Sequence, residues 1–170
     1  MKKRYQTSET LPVGLLLALA GGILDAYSYL NRGQVFATAE TGNLVLLGIN
    51  VSLGNWSQVL HYLLPVLAYT AGVLVTELLR RRLGDEGGWL HWRQYLLLVE
   101  CVAIAVVAFL PQTLNPLANL MISFASAVQV DSFRKFNGCG CATTMCTGNL
   151  RSGTEHLFFW LSHRERDALN

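Results

Sequence analysis

The chain has 170 residues, of which 52% are apolar and only 14% are charged, with a net charge of +2 and a mean hydropathy of +0.34. Soluble domains usually carry about a quarter charged residues. This composition excludes a secreted disulfide scaffold, a disordered tail and a nucleic-acid-binding protein, and it predicts a protein that crosses a membrane several times.

Six apolar segments follow one another along the chain and are separated by polar residues. They occupy residues 11–30, 35–53, 56–79, 95–110, 114–130 and 141–161. The first follows three basic residues, as the apolar part of a signal peptide does, but it is too long for one and we interpret it as a retained span. The predicted fold is all-α: a polytopic transmembrane helical bundle in one domain that comprises residues 1–170.

The second and the sixth segments are more polar than the other four. A Thr-Gly-Asn tripeptide interrupts each of them, at residues 41–43 and 147–149. Because polar groups are costly in hydrocarbon unless protein or a water-filled cavity surrounds them, neither segment can face lipid along its whole length. We therefore expect broken or re-entrant helices at the two tripeptides.

The basic residues indicate how the segments cross the membrane. If all six segments span it and the N-terminus is inside, seven of the thirteen Lys and Arg residues fall outside. If the second and sixth segments instead return to the side from which they came, Arg32 alone lies outside. The positive-inside rule favours the second arrangement, with the N-terminus in the cytoplasm.

An internal repeat relates the two tripeptide regions. When residues 25–44 are placed over residues 131–150 without a gap, seven of the twenty positions are identical, whereas chance would give about one or two. The identical pairs are Asp25/Asp131, Asn31/Asn137, Thr38/Thr144, Thr41/Thr147, Gly42/Gly148, Asn43/Asn149 and Leu44/Leu150. The first repeat comprises residues 11–82 approximately and the second residues 95–163. In the favoured topology the copies are inverted, as in many secondary transporters, whereas six full spans would make them parallel.

An aspartate that ends the first span, a TGN tripeptide that opens the next segment and a second copy that reads ATTMCTGNL resemble the YoaK family of bacterial multispanning membrane proteins, whose function is uncharacterised. The resemblance covers residues 10–160 and implies a bacterial inner (plasma) membrane protein. Members of that family usually continue past the second TGN segment with further membrane helices. We therefore expect the second repeat to be incomplete at Asn170, in a short member or a truncated reading frame.

Asp25 and Asp131 are the first candidates for a substrate or ion pathway. An acidic side chain near the end of an apolar helix is costly unless it is paired, solvated or functional. The two aspartates could coordinate a proton or a cation, or they could cap the broken helix that follows. Glu100 lies five residues into an otherwise apolar span. It could partner Asp25 or bind a proton, and a structural hydrogen bond to a neighbouring helix is the favoured alternative.

The two tripeptides supply the second group of candidates. We expect Gly42 and Gly148 to be the pivots at which the chain turns back into the membrane, since glycine adopts conformations that other residues avoid. The adjacent Thr and Asn side chains either line a polar pathway or satisfy the backbone of the turn, and the sequence leaves both interpretations open. These side chains belong to Thr41, Asn43, Thr147 and Asn149.

The cysteines carry little functional signal. Cys139, Cys141 and Cys146 have a spacing that is not a standard zinc pattern, and the first repeat lacks thiols at the equivalent places. The sequence therefore predicts no metal and no cofactor. It also has no catalytic motif, so we expect no enzyme.

The predicted function is the movement of a small solute or an ion across the bilayer. The chain has no ATP-binding motif, so such transport would be passive or ion-coupled. The alternative is a non-transporting scaffold, assembly factor or sensor, in which the polar motifs only hold the broken helices together. The expected partners are the lipid bilayer and a small solute or ion; a homo-oligomer is compatible with the sequence, and nucleic acid is not an expected partner.

Overall fold

A computed structural model describes residues 10–83, 92–136 and 139–168 of the chain. The basic N-terminal residues, residues 84–91 and Asn137 of the repeat lie outside this part, and so do the topology signals that they carry. Within it the chain forms α1 (Leu11–Asn31), α2 (Glu40–Ser52), α3 (Trp56–Leu83), α4 (Trp92–Phe109), α5 (Asn115–Ser132) and α6 (Cys146–Ala168). An antiparallel hairpin of β1 (Lys135–Phe136) and β2 (Cys139–Gly140) precedes α6, and a 3-10 turn, Gln112–Leu114, precedes α5. The predicted all-α fold is confirmed.

The helices begin where local sequence signals place them. Pro12 and Pro116 occupy the first turns of α1 and α5, where the N–H that proline lacks has no partner in the helix anyway. Two helices start later than their predicted segments. The second, α2, begins at Glu40 rather than at residue 35, and the sixth, α6, begins at Cys146 rather than at residue 141. Residues 35–39, predicted as the start of the second segment, are therefore not helical.

The centre of the bundle is α5, and α1, α3 and α4 pack around it, while α2 packs on α3. Gly72 marks the closest approach of α3 to α5, since a Cβ atom on it would lie only 2.7 Å from a backbone oxygen of α5. On α4, Leu96 packs with Val128 and Val107 packs with Ile122, so α4 and α5 run antiparallel. This arrangement encloses α5 and places its polar residues in the interior.

The periphery of the bundle is apolar. Large side chains such as Leu16, Leu19, Leu74 and Leu98 are more than half exposed, and an extensive apolar surface is unusual for a soluble protein. By length and composition, two helices in the described part, Leu11–Asn31 and Trp56–Arg82, could cross a membrane. Only 22% and 28% of their most apolar windows are buried, as expected of helices that face lipid rather than a protein core.

Candidate functional site

The chain reverses its direction directly after α1. Gly33 has a φ of 91° and Gln34 a φ of 61°, in the left-handed region that favours glycine. The prediction that Gly42 and Gly148 are the pivots is wrong. Both lie inside helices, α2 and α6, without a positive φ. The reversal therefore precedes the first tripeptide, because the Thr-Gly-Asn residues form the first turn of α2 rather than the bend before it.

After the reversal, residues 35–39 run back along α1, and we call them the first returning segment. The Ala37 N–H donates to Ser28 Oγ at 3.2 Å, and the Thr38 N–H donates to Asp25 Oδ1 at 2.8 Å. The Thr38 hydroxyl then donates to the carbonyl of Gly21 at 3.3 Å. Gly21 lies ten residues before the end of α1, so the segment returns along roughly 15 Å of helix.

A second returning segment, residues 139–144, approaches α1 from the opposite end. It follows Phe136, whose ring lies against Gly14 near the start of α1. The buried Gln129 amide of α5 fixes the segment by donating to the Thr143 hydroxyl at 3.0 Å and to the Leu17 carbonyl at 3.2 Å. A Cβ atom on Gly21 would lie 3.3 Å from the Thr144 methyl group. The two returning segments therefore converge on Gly21.

The asparagines of the two tripeptides hold the returning segments in the same way. Asn43 Nδ2 donates to the Phe36 carbonyl at 2.8 Å, and Asn149 Nδ2 donates to the Ala142 carbonyl at 2.7 Å. These donors and acceptors are equivalent positions of the sequence repeat. The fully buried Asn43 also accepts the Phe36 N–H at 3.0 Å. Both asparagines thus satisfy the backbone that leads into the helix, which is one of the two roles that the sequence left open.

The two equivalent aspartates have different surroundings. Asp131 is buried and belongs to an ion network, since it pairs with Arg134 and with Arg80, whose Nη2 lies 3.2 Å from Asp131 Oδ2. Glu77 bridges the same two arginines, at 2.8 Å from Arg80 and 2.6 Å from Arg134. The hydrogen bond to Asp131 raises the pKa of Arg134, so this guanidinium keeps its charge. The positive charges therefore compensate both acids of this network.

Asp25 has no such compensation. In the part of the chain that the structure describes, neither Asp25 nor the nearby Glu40 forms an ion pair with Arg or Lys. Glu40 Oε2 accepts a hydrogen bond from Asn43 at 2.7 Å, whereas Glu40 Oε1 is buried without a partner. Ser123 of α5 lies beside the Glu40 carboxylate. The first tripeptide region thus carries two neighbouring carboxylates without a counter-charge.

A buried polar face runs along α5. It consists of Asn119, Ser123, Ser126, Gln129 and Ser132. Within the described part of the chain, the hydroxyl oxygens of Ser126 and Ser132 and the Oδ1 atom of Asn119 have no hydrogen-bond partner. Buried polar atoms in native proteins are nearly always paired, so a run of unpaired ones points to bound water, an ion or a solute.

Two cavities lie along this helix. One of about 330 Å³ is lined by His61, Pro65 and Asn119, among others. The other, of about 290 Å³, is lined by Tyr69, Val130, Asp131 and Arg134 with Ala142 of the second returning segment. From Asn119 to Val130 the axis of α5 advances about 16 Å. Asn119 of the polar face thus lines the first cavity, and Asp131 and Arg134 of the ion network line the second.

A family model described as "protein of unknown function (DUF1275)" matches residues 13–170. The chain belongs to the DUF1275 family. It is similar to the UPF0700 transmembrane protein YoaK of Bacillus subtilis (strain 168), with 29% identity over 146 residues that cover 84% of this chain and 64% of YoaK. The chain thus spans less than two thirds of that relative, and no solved structure matches it.

This membership confirms the resemblance to the YoaK family. Together with the exposed apolar helices, the similarity to a transmembrane protein identifies this DUF1275 chain as a membrane protein.

The structure of this DUF1275 chain brings only some of the candidate residues together. Asp25 and Asn43 lie at the first returning segment and Asn149 at the second, while Asp131 lies in the cavity next to the second. The side chains of Thr41 and Thr147 are exposed, and so is Gly148. Glu100 is 5% exposed on the face of α4 that contacts α5, and its Oε2 atom has no partner.

Several important residues were not among the candidates. Thr38 and Thr144 make the contacts at Gly21, and their identity in the repeat was the signal that could have singled them out. Gln129 and the serines of α5 gave no comparable signal, because isolated small polar residues interrupt many membrane helices. Among the described residues, no group of three or more His, Cys, Asp or Glu side chains could hold a metal ion.

Arg32 was interpreted only as an external charge, and it is buried instead, at 2% exposure. Its guanidinium donates to the Val107 carbonyl at 3.0 Å and the Leu110 carbonyl at 2.9 Å, at the C-terminal end of α4, and to Asn115 at 3.1 Å. A cation at a helix C-terminus is stabilised by the carbonyls that the helix leaves unpaired. Arg32 therefore fastens the end of α1 to the link between α4 and α5. The phenol of Tyr27 accepts its remaining Nε–H, at 2.7 Å.

Proposed function

We propose that this protein moves a small solute or an ion across the bacterial inner membrane, with its N-terminus in the cytoplasm. The polar face of α5, with a cavity near each end of it, is the observation that carries the proposal, because buried polar atoms without partners point to a bound water, ion or solute. No catalytic step and no cofactor form part of it.

The proposed pathway passes the point where the returning segments converge. Both segments have irregular backbone, which inside a membrane is tolerated only where protein or a polar cavity surrounds it. Their contacts with Gly21, deep in α1, support the view that each enters the membrane and turns back at its tripeptide. Their approach from opposite ends of α1 supports inverted repeats, with a site between them as in secondary transporters.

Transport can be tested with the full chain in liposomes. We would measure the flux of H⁺, Na⁺ and K⁺ with fluorescent indicators, and of glycerol by light scattering. Ser126→Ala should reduce the flux, because it removes a hydroxyl from the polar face. It should not lower the melting temperature, since this hydroxyl has no partner to lose. Ser52→Ala is the matched control, because Ser52 is exposed at the end of α2.

The result that contradicts the proposal is a wild-type protein without flux above that of empty liposomes for any of these probes. A flux that Ser126→Ala leaves unchanged would remove the polar face of α5 from the pathway.

The second candidate function is a non-transporting scaffold. The observation in its favour is that both asparagines and the ion network around Asp131 have structural partners that hold the returning segments in place. This candidate predicts no flux in wild type, together with loss of assembly in Asn43→Ala and Asn149→Ala. Monodisperse elution of these variants in detergent would argue against it.

The orientation can be tested by thiol labelling in cells, in a background without native cysteines. The proposed topology places Asn55, between α2 and α3, outside the cell and Arg82, at the end of α3, in the cytoplasm. Asn55→Cys should react with an impermeant maleimide added to intact cells, and Arg82→Cys should react only after lysis. The reverse pattern would overturn the orientation.

A further inference from the structure

We propose that the cavity of about 330 Å³ between α3 and α5 binds a neutral, hydroxylated small solute of the polyol class. This α3–α5 cavity lies beside the reversal of the chain after α1. The inference deepens the function proposed above, on which it rests, by naming the chemical class of the solute. The sugar headgroup of a lipid presents the same hydroxyl groups, so it is the competitor that the test includes.

The residues that line the α3–α5 cavity suit an uncharged solute. Four of them are polar, namely Ser57, Gln58 and His61 of α3 and Asn119 of α5, and the others in the described part are leucines and prolines. None of these lining residues is an acid, a lysine or an arginine. An ion would therefore enter without a counter-charge, which is costly away from water. Hydroxyl groups, in contrast, pair with such polar side chains while the carbon atoms contact the apolar wall.

Asn119 is the residue that points to a ligand. It is 1% exposed, and its Nδ2 atom donates to the Arg32 carbonyl at 2.8 Å. Its Oδ1 atom is buried and has no hydrogen-bond partner among the residues that the structure describes. Because buried polar atoms are nearly always paired in native proteins, we expect a donor inside the cavity to complete this oxygen.

His61, which lines the same cavity, supplies two further acceptors. Its Nε2 atom lies 2.8 Å from the Gly33 carbonyl, which can only accept, so this nitrogen carries a proton. In the neutral ring Nδ1 is then an acceptor. Pro65 also lines the cavity, and it lacks the N–H that would bind the His61 carbonyl four residues earlier in α3. The cavity is therefore rich in acceptors, and a solute with several hydroxyl donors complements it.

The two residues that supply these acceptors are held in place from their other polar atoms. Asn119 and His61 bind the adjacent carbonyls of Arg32 and Gly33, so they join α5 and α3 to the reversal after α1. Gly33 permits the close approach of His61, since a Cβ atom on it would lie 3.4 Å from the ring. Side chains fixed in this way lose little conformational freedom when a solute binds. In the proposed topology the reversal is external, so the solute would enter the cavity from outside.

The volume of the cavity limits the size of the solute. At about 330 Å³ it lies near the lower end of the range of about 300–1,000 Å³ for small-molecule sites. A water molecule occupies about 30 Å³ in the liquid, so the cavity has room for about eleven waters. Glycerol and xylitol are therefore suitable probes, whereas a disaccharide is too large.

Saturation-transfer NMR of the full chain in nanodiscs measures this binding without requiring transport. The nanodiscs contain phosphatidylcholine, because maltoside detergents would themselves offer hydroxyl groups. Xylitol should bind saturably, and xylonate, which adds a carboxylate to a similar carbon chain, should bind more weakly. Asn119→Leu should weaken xylitol binding about tenfold, because one hydrogen bond is lost.

Two phenylalanine variants form a matched pair. Ser57→Phe should abolish xylitol binding, because the ring fills part of the cavity, and it should leave the fold intact because Ser57 is exposed. Ser52→Phe, the same change at an exposed serine of α2 that does not line the cavity, should bind like wild type. If Asn119→Leu does not fold, this pair decides.

The inference is overturned if xylitol does not bind to wild type, in which case the cavity holds water only, or if Ser57→Phe or the charge of xylonate leaves binding unchanged. Displacement of xylitol by digalactosyl diacylglycerol in the nanodisc would also overturn it, because the cavity would then hold a lipid headgroup. Flux into liposomes separates the inference from the proposed function. Xylitol binding that Ser57→Phe abolishes, in a protein without any flux, supports the site and overturns transport. Ion flux without polyol binding overturns the site and leaves transport standing.

Discussion

Gly21 should tolerate a larger side chain much less well than its neighbour Gly22. Both glycines lie in α1, and valine at either position changes the intrinsic helix propensity equally. They differ in their surroundings. A Cβ atom on Gly21 would lie 3.3 Å from the Thr144 methyl and 3.9 Å from the Thr143 carbonyl oxygen, whereas a Cβ atom on Gly22 would have no other atom within 4 Å.

The size of the effect follows from these distances. Carbon atoms pack best at about 3.5–4.0 Å, so the Cβ atom of Gly21→Val is already too close to Thr144, and two further methyl groups extend beyond it. Overpacking of this kind costs about 1–3 kcal/mol. For a chain of this length each kcal/mol lowers the melting temperature by about 2–4 °C. We therefore expect Gly21→Val to melt about 2–12 °C below Gly22→Val.

Tryptophan fluorescence during thermal unfolding in detergent measures this difference. Gly21→Ala is an intermediate step, since alanine adds only the Cβ atom, and it should melt above Gly21→Val but below Gly22→Ala, which gains the same helix propensity without the contact. The reasoning is refuted if Gly22→Val is as unstable as Gly21→Val, because the second returning segment would then not press against α1 at this point.

Two further predictions concern stability and use the same assay. Gly42→Ala should lower the free energy of unfolding by about 1–3 kcal/mol, because its Cβ atom would lie 2.5 Å from the Phe36 ring, whereas Gly148→Ala should be neutral because its surroundings are open. Equal effects of the two variants would contradict the packing of Phe36, and Phe36→Leu should partly rescue Gly42→Ala. Arg32→Met should lower the free energy of unfolding by about 3 kcal/mol, because it leaves buried carbonyls at the end of α4 without donors. Arg82→Met should have little effect, because Arg82 is exposed. Similar losses in both variants would show that Arg32 does not hold α1 to the end of α4.

The sequence was sufficient to predict the helices but not the way they fit together. Hydropathy located α1 to within a residue and the start of α3 at Trp56, because long apolar runs with polar ends specify a membrane helix locally. It also placed the polar interruption of the second segment, whose helix begins at Glu40. The sequence repeat located the equivalent residues that bracket both returning segments, such as Asn43 and Asn149.

The missed features depend on contacts between residues that are distant in the chain. Arg32 is buried because its guanidinium donates to carbonyls that lie 75 and 78 residues further along the chain, and no local sequence pattern indicates those partners. Gly42 looked like a pivot because glycine often is one, yet it is required for the close approach of Phe36. Likewise, the difference between Asp25 and Asp131 arises from Arg80 on another helix, so identical residues of the repeat lie in different electrostatic environments.

The contact of both returning segments with Gly21 makes α1 a mechanical link. One segment reaches this glycine from the C-terminal end of α1, and the other reaches it from the N-terminal end. If α1 slides along its own axis, it carries the tip of one segment toward the membrane surface from which that segment enters. The tip of the other segment then moves away from the opposite surface, from which that one enters. Packed elements tend to shift between discrete positions rather than deform continuously. In the transport function proposed above, a rigid helix that both segments contact would thus open one side of the membrane only as it closes the other.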